Sequence, residues 1–253
     1  SATLKFTARY DPSKPRYPLP ELHATVSTLA LNPEPESAET TVRLALPVIG
    51  GNPPVAAVQA HAAPTLGGSL DDDAWQRVPD VPALGRMDLR RDIEPRTEAW
   101  IAYDDQALYV AFRCHEPDIE QLKVAARTRD GQVYFDDSVE VLIEPDGDGA
   151  GRDYRQVIVN AAGVIYDGKG FDNSVDLKTV AAATAVGEDA WTAELAIPWS
   201  ALGLAGPSDS PRLLLARNRQ TTGRHEIFQF PLSPDGNHQP SVFARLELQK
   251  GNP

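Results

Sequence analysis

Apolar and polar positions alternate along much of this chain. The alternation runs through Leu4–Tyr10, His23–Leu31, Thr41–Leu46, Glu98–Tyr103, Leu108–Cys114, Val139–Glu144, Arg155–Asn160, Trp191–Ile197, Leu213–Arg219, Glu226–Phe230 and Ala244–Leu248. A period of two marks strands with one face on a core. Frequent Pro and Gly (22 and 18) separate these runs, so the pattern predicts an all-β chain built as an antiparallel β-sandwich. Helical signals are few. Asp71–Gln76 predicts one turn with Asp71 as N-cap, and Trp199–Leu204 predicts another, stopped by Gly203 or Gly206. The Ala-, Pro- and Gly-rich segment Val48–Gly68 reads as a junction. It divides the chain into a small N-terminal β unit over residues 1–60 and a sandwich over residues 61–253.

Candidate chemistry concentrates between Tyr134 and Asn160. Glu140 shares parity with Leu142, and Gln156 and Asn160 share parity with Ile158, so polar side chains fall where a plain sandwich wants apolar ones. A carboxylate and two amides on a half-apolar sheet face suit the hydroxyls of a sugar. Trp100 has the opposite parity to Ala99, Ile101 and Tyr103. It predicts either a second binding surface or, preferred here, packing against residues 1–60. The PDGDG turn places Asp146 and Asp148 two residues apart around glycine. With Asp153 they form a candidate calcium set, although Asp-Gly turns are also ordinary hairpin chemistry.

Composition narrows the function classes. The chain has 253 residues, 42% hydrophobic content and a formal charge of −12. That is enough for a packed core, and an acidic surface argues against nucleic acid and anionic membranes as partners. Cys114 is the one cysteine, which leaves no disulfide framework and reads as a small core residue. No apolar run approaches the ~18 residues of a membrane-spanning helix, and no leader pattern is visible at Ser1. His23, His61, His115, His225 and His238 are scattered, with no metalloprotease pair, nucleophile elbow or phosphate loop. Asp137 and Glu140 have opposite parity, so a glycosidase-like carboxylate pair there is not expected. The chain is read as not an enzyme.

The order of motifs from Leu66 carries a resemblance. LGGSLDDDAW (Leu66–Trp75) is followed by WIAYDDQALYVAFRCHEPD (Trp100–Asp118) and YFDDSVEVLIEPDGDG (Tyr134–Gly149). YRQVIVNAAGVIYDG (Tyr154–Gly168), WTAELAIPWSALGL (Trp191–Leu204) and FARLEL (Phe243–Leu248) complete the series. In this order and spacing, residues 64–250 resemble a family 9 carbohydrate-binding module, a DOMON-like β-sandwich. LALNPEPESAETTVRLALP (Leu29–Pro47) faintly resembles an Ig-like accessory domain of bacterial glycosidases, so residues 1–60 are expected to be a small β unit or the tail of such a domain.

The resemblance implies a non-catalytic, carbohydrate-binding part of a secreted or periplasmic bacterial polysaccharide-active enzyme, with that enzyme's catalytic domain as its covalent partner. It places Tyr134 as the aromatic that stacks on a sugar ring. It gives Glu140 as the carboxylate and Gln156 and Asn160 as the amides that meet hydroxyls, with Arg217 and Asn218 as polar side chains on a later strand. It also implies structural Ca2+. The family's second aromatic falls on the loop before the last strand. Here that loop is LSPDGNHQPSVF, without an aromatic ring before Phe243 except the imidazole of His238. The alternative is therefore a spacer or interaction module with a vestigial cleft. A third reading, haem binding between Met87 and His115, His225 or His238, comes from other DOMON-like domains.

Overall fold

In a computed structural model, the described residues are Glu21–Thr25, Thr41–Ala45 and residues 53–251, apart from 79, 89–92, 150–152 and 234. The chain divides into two compact units, Ser1–Val48 and Ile49–Pro253. In the first, β1 (Glu21–Thr25) pairs antiparallel with β2 (Thr41–Ala45). The expected strand Leu4–Tyr10 lies outside the described residues.

The larger unit is almost entirely β. Its strands are β3 (Pro54–Gln59), β4 (Gly85–Arg86), β5 (Thr97–Tyr103), β6 (Ala107–His115), β7 (Ser138–Glu144), β8 (Arg155–Asn160) and β9 (Ile165–Lys169). They continue with β10 (Ala181–Val186), β11 (Ala190–Pro198), β12 (Arg212–Arg219), β13 (Glu226–Phe230) and β14 (Ala244–Gln249). Hydrogen bonding orders them β10-β11-β6-β5-β3-β14-β12-β7-β8-β9, with β13 also on β12 and β4 on β13. Every pairing is antiparallel except those of β3, which runs parallel to both β14 and β5. This strand corrects the junction reading of Val48–Gly68. PVAAVQ belongs to the sheet and joins its two halves, and the larger unit begins at Ile49 rather than at residue 61.

Register explains the core. Ala99 and Ile101 of β5, Val110 and Phe112 of β6, and Ala193 and Leu195 of β11 are aligned across three strands. In the other half Val141 faces Val157 on one side and Leu215 on the other, and Leu215 faces Phe230. All of these side chains are buried. All seven residues of β7 are buried, so this strand is covered on both faces, unlike a strand that presents one face to water.

Trp75, on α1 (Asp73–Gln76), and Trp199 are buried plugs, and their indole N–H groups donate to Glu194 Oε1 (2.7 Å) and Asp104 O (2.8 Å). The N-cap of α1 is Asp72 rather than Asp71, and its carboxylate instead accepts Thr65 N. The second expected turn is a 3-10 turn, Trp199–Leu202, ended by Gly203 in the left-handed region. Trp100 packs on a cluster with Leu70, Trp75 and Val78, joined by Val58 and Ala60, and its N–H donates to Asp80. The segment around α1 therefore covers much of this outward ring.

Candidate functional site

The face of β7 that carries Glu140 also carries Ser138, Leu142 and Glu144. Pairing extends it to Ile158 and Gln156 of β8, Tyr166 of β9, Ala216 and Asn218 of β12, and Gln229 of β13. Glu140 lies near its centre and is 2% exposed. Gln156 Nε2 donates to Glu140 Oε1 (2.5 Å), and Asn237 Nδ2 donates to Glu140 Oε2 (2.8 Å). Gln229 Nε2 in turn donates to Asn237 Oδ1, and Gln229 Oε1 accepts Ser233 N (2.9 Å). Burial pushes the Glu140 carboxyl above its ordinary value, while hydrogen bonds from Gln156, Asn237 and Asn218 work against that rise.

Glu140 is expected to accept sugar hydroxyls. In the structure each of its oxygens accepts a protein amide, so the carboxylate sets the orientation of Gln156 and Asn237. Each amide has two donor hydrogens and a carbonyl oxygen. With one hydrogen committed to Glu140, the Gln156 side chain keeps capacity to meet a ligand.

The other expected site residues separate by strand parity and by local bonding. Asn160 is 0% exposed, and its side chain is used within the fold. Its amide donates to Asp136 Oδ2 (2.9 Å) and Ala126 O (3.3 Å), while its oxygen accepts Ala162 N and Val164 N. These bonds hold the β8–β9 turn and leave Asn160 buried beneath it. Arg217 is 0% exposed on the opposite face, where Nη2 pairs with Glu116 Oε2 at 3.0 Å. Asn218 is on the Glu140 face, with His225 Nε2 3.0 Å from its Oδ1. Asp137 accepts Lys123 N, Gln220 N and Thr221 Oγ1, a loop-tying role unconnected to Glu140.

Aromatic rings stand at two ends of this face. Tyr134, in the 3-10 turn Val133–Phe135, is half-buried and meets Phe135 (centroids 4.7 Å apart) and the edge of Tyr166 (5.9 Å). At the other end Tyr154 packs with Leu142, Leu214, Ala216 and Phe243. Tyr154 Oη lies 2.7 Å from His238 Nδ1, and the His238 ring lies 4.5 Å from Phe171 at 34°. Burial lowers the His238 pKa, which favours the neutral ring, whose Nδ1 is hydrogen-bonded to the Tyr154 hydroxyl in a direction set by its tautomer. Phe171 escaped the sequence reading. Its signal is a large aromatic in the turn sequence Lys169–Asp172 (KGFD), where small or polar residues are usual.

The acidic hairpin brings together a carboxylate set that differs by one residue from the expected Asp146, Asp148 and Asp153. Glu144, Asp146 and Asp148 bring one oxygen each to within 4.8 Å of one another. Asp153 is instead paired with Arg155 (2.7 Å) and Lys169 (2.8 Å), and those partners hold its pKa low. Glu144 is 0% exposed; its Oε2 accepts Gly149 N (2.9 Å), and its Oε1 is buried without a hydrogen-bond partner. Burial raises its pKa, as do the neighbouring Asp148 and Asp146 carboxylates, against the pull of the Gly149 N–H. Three hard oxygens at this separation fit a cation with ~2.3–2.6 Å oxygen bonds.

Among the histidines of the haem reading, His115 Nε2 lies 3.3 Å from Glu98, while His225 and His238 hold the partners named above. Met87 follows β4, and its N–H donates to Ile227 O.

A sequence profile of the family described as "Carbohydrate family 9 binding domain-like" matches residues 66–251. Among solved structures, a carbohydrate-binding module of family 9 from Caldicellulosiruptor kristjanssonii in complex with cellotriose is similar over 79% of this chain and 95% of its own. Its TM-score is 0.61 at 21% identity. A glucose complex of a family 9 module from the same organism covers 78% of this chain and 97% of its own, with TM-score 0.60 and 19% identity. A putative carbohydrate-binding protein from Bacteroides uniformis covers 79% and 100%, with TM-score 0.64 and 15% identity. No curated protein matches the chain.

Proposed function

The chain belongs to the carbohydrate family 9 binding domain-like family, and we propose that its Glu140 face is a non-catalytic binding site for a neutral sugar. One observation carries this reading. The Gln156 and Asn237 amides are fixed on a buried carboxylate between aromatic rings. A sugar ring offers apolar C–H faces to an aromatic plane and hydroxyls to planar amides at its edge. In this arrangement Tyr134 supplies a plane and Gln156 the hydrogen bonds, while Glu140 positions rather than touches the ligand. Asn218 contributes at the far side of the floor. The sheet closes as a β-sandwich, residues 1–48 are an appended β unit or the tail of an Ig-like domain, and the module serves a secreted or periplasmic bacterial polysaccharide-active enzyme.

Titration calorimetry of the full chain with a panel of neutral mono- and trisaccharides, including the glucose and cellotriose of the solved relatives, tests the reading. Binding should weaken in Tyr134→Ala and Gln156→Ala. The self-satisfied Glu140 favours one second reading, a spacer module with a vestigial cleft. Silence across the panel would establish that reading and sink the first.

The acidic hairpin would hold Ca2+ through Glu144, Asp146 and Asp148. The orphaned, buried Glu144 oxygen supports this, because a cation satisfies it where no protein donor does. Bound Ca2+ would fasten the β7–β8 connection without entering the sugar chemistry. Thermal unfolding should shift upward with Ca2+ over chelator, and Glu144→Gln should abolish the shift; equal midpoints with and without Ca2+ would refute it.

A further inference from the structure

We propose that Phe171 is the second aromatic wall of the site and sets its grip on the sugar ring; this rests on the reading of the Glu140 face as the sugar site. An exposed aromatic ring is carried on a firmly bonded turn. Phe171 is 61% exposed. It sits at the tip of a turn closed by reciprocal bonds, Lys169 N to Asp172 O (3.0 Å) and Asp172 N to Lys169 O (2.9 Å). Gly170 (φ +59°) permits that turn, and its N–H donates to Tyr154 O (2.8 Å), tying the turn to the start of β8. Asp172 Oδ1 also caps Ser174 N (2.9 Å). The fold therefore spends ordered backbone to present an apolar ring to solvent, which the turn itself does not require.

The position of the ring connects it to the polar floor. Asn237 and His238 are consecutive. Asn237 is bonded to Glu140, and the His238 ring packs at a tilt against Phe171 and is joined to Tyr154. Tyr154, buried, half-buried His238 and exposed Phe171 thus form a graded stack rising from the floor. On β8, Gln156 lies midway between Tyr154 and Ile158, and Ile158 is paired with Tyr166 of the Tyr134 cluster. At ~3.3 Å per residue, Tyr154 and Ile158 stand about 13 Å apart at the backbone. The floor between the two aromatic clusters is therefore long enough for a pyranose. The turn that carries Phe171 is bonded before the ligand arrives, which removes part of the entropic cost of binding.

Calorimetry with the same saccharide panel on the full chain tests this. Phe171→Ala and Phe171→Leu should each weaken binding about tenfold, because leucine keeps apolar bulk and loses the aromatic plane. Phe171→Trp should restore affinity and add a ligand-dependent fluorescence change. The thermal midpoint of all three should stay near wild type, since the ring is on the surface. If Tyr134→Ala weakens binding while the Phe171 variants remain within twofold of wild type, the second wall is refuted and the site reading stands. Loss only in the Phe171 variants supports the wall and removes Tyr134 from the site. Absence of wild-type binding, or wild-type affinity in every variant, overturns both.

Discussion

The buried link between Glu140 and Asn237 can be measured by a double-mutant cycle. Glu140→Ala removes the acceptor for two amide hydrogen bonds, from Gln156 and Asn237. Bonds to a charged group contribute roughly 1.5–3 kcal/mol each, so the gross loss is about 3–6 kcal/mol. Removing the carboxylate also removes its desolvation cost, which the raised pKa of Glu140 reveals, and the net destabilisation should be about 2 kcal/mol. For a unit of this size that lowers the melting temperature by about 4–8 °C. Asn237→Ala loses its bonds to Glu140 and Gln229 and should cost about 1–2 kcal/mol. Because the two side chains share one bond, the double variant should fall short of the sum by about 1 kcal/mol. Trp75, Trp100, Trp191 and Trp199 are the chain's four tryptophans and all lie in the larger unit. Their fluorescence in a denaturant titration therefore reports this unit alone. Additivity within about 0.3 kcal/mol, with both single effects measurable, would show that the Glu140–Asn237 contact does not hold the floor. A second arm uses the sugar panel: Glu140→Ala should weaken binding through the Gln156 and Asn237 amides that its carboxylate holds. Unchanged affinity in a destabilised variant would refute the positioning role.

Other consequences follow from groups away from the floor. Glu116 bridges Arg217 and Arg219, and Arg219 continues to Glu226 and Arg86. Glu116→Ala leaves buried guanidinium charge without its partner and should cost about 3–5 kcal/mol, read by denaturant unfolding; a loss under ~1 kcal/mol would place the network in water. Burial pushes the Glu116 carboxyl up, but Arg219, the Asp118 N–H and Arg217 outweigh it, so the folded value lies below the ordinary 4.5. Its contribution is therefore full above pH 4.5 and lost as pH falls through the folded value, which a pH series of melting temperatures should show as a steep acid limb. His238 is also depressed, by burial, from 6.5. Its contribution is present above that pH and declines below it, so His238→Phe should flatten the stability profile between pH 7 and 5 without abolishing the decline, because His225 is lowered too. Burial pushes the Cys114 thiol up to about 12; a disulfide-exchange reagent at pH 8 should label it only after unfolding, and rapid native labelling would contradict its core position.

What the sequence made legible was parity. Alternation placed Glu140 and Gln156 on one face with Leu142 and Ile158, and the pairing of β7 with β8 bears that out. Asn160 shares that face, opposite Ser138. Parity fixes the face a side chain leaves from and not what it reaches. At the end of β8 four bonds claim Asn160 for the following turn and the 125–136 region. Arg217 and Asn218 are adjacent, so extended backbone had to divide them between the two faces. The strand Pro54–Gln59 was hidden because alanine-rich sequence has weak β propensity. Its two parallel neighbours, β5 and β14, lie far away along the chain.

The same limit explains the missing wall. The loop from Leu232 to Val242 carries no aromatic ring except the imidazole of His238. The fold divides the wall between two segments. Asn237 bonds to Glu140, 97 positions away in sequence, while His238 lends its ring to Phe171 from the turn after β9. A loop whose consecutive residues grip the floor and back an aromatic from another hairpin can build a wall without supplying its outermost ring. This arrangement also makes a specific demand on His238. Neutral, its Nδ1 can accept the Tyr154 hydroxyl; protonated, it can only donate, so the Tyr154 bond must reverse and a charge is placed beneath the Phe171 ring. Weakening of sugar binding as pH falls below 6.5 should therefore be smaller in His238→Phe than in wild type, and an identical pH dependence in the two would show that His238 does not support the wall.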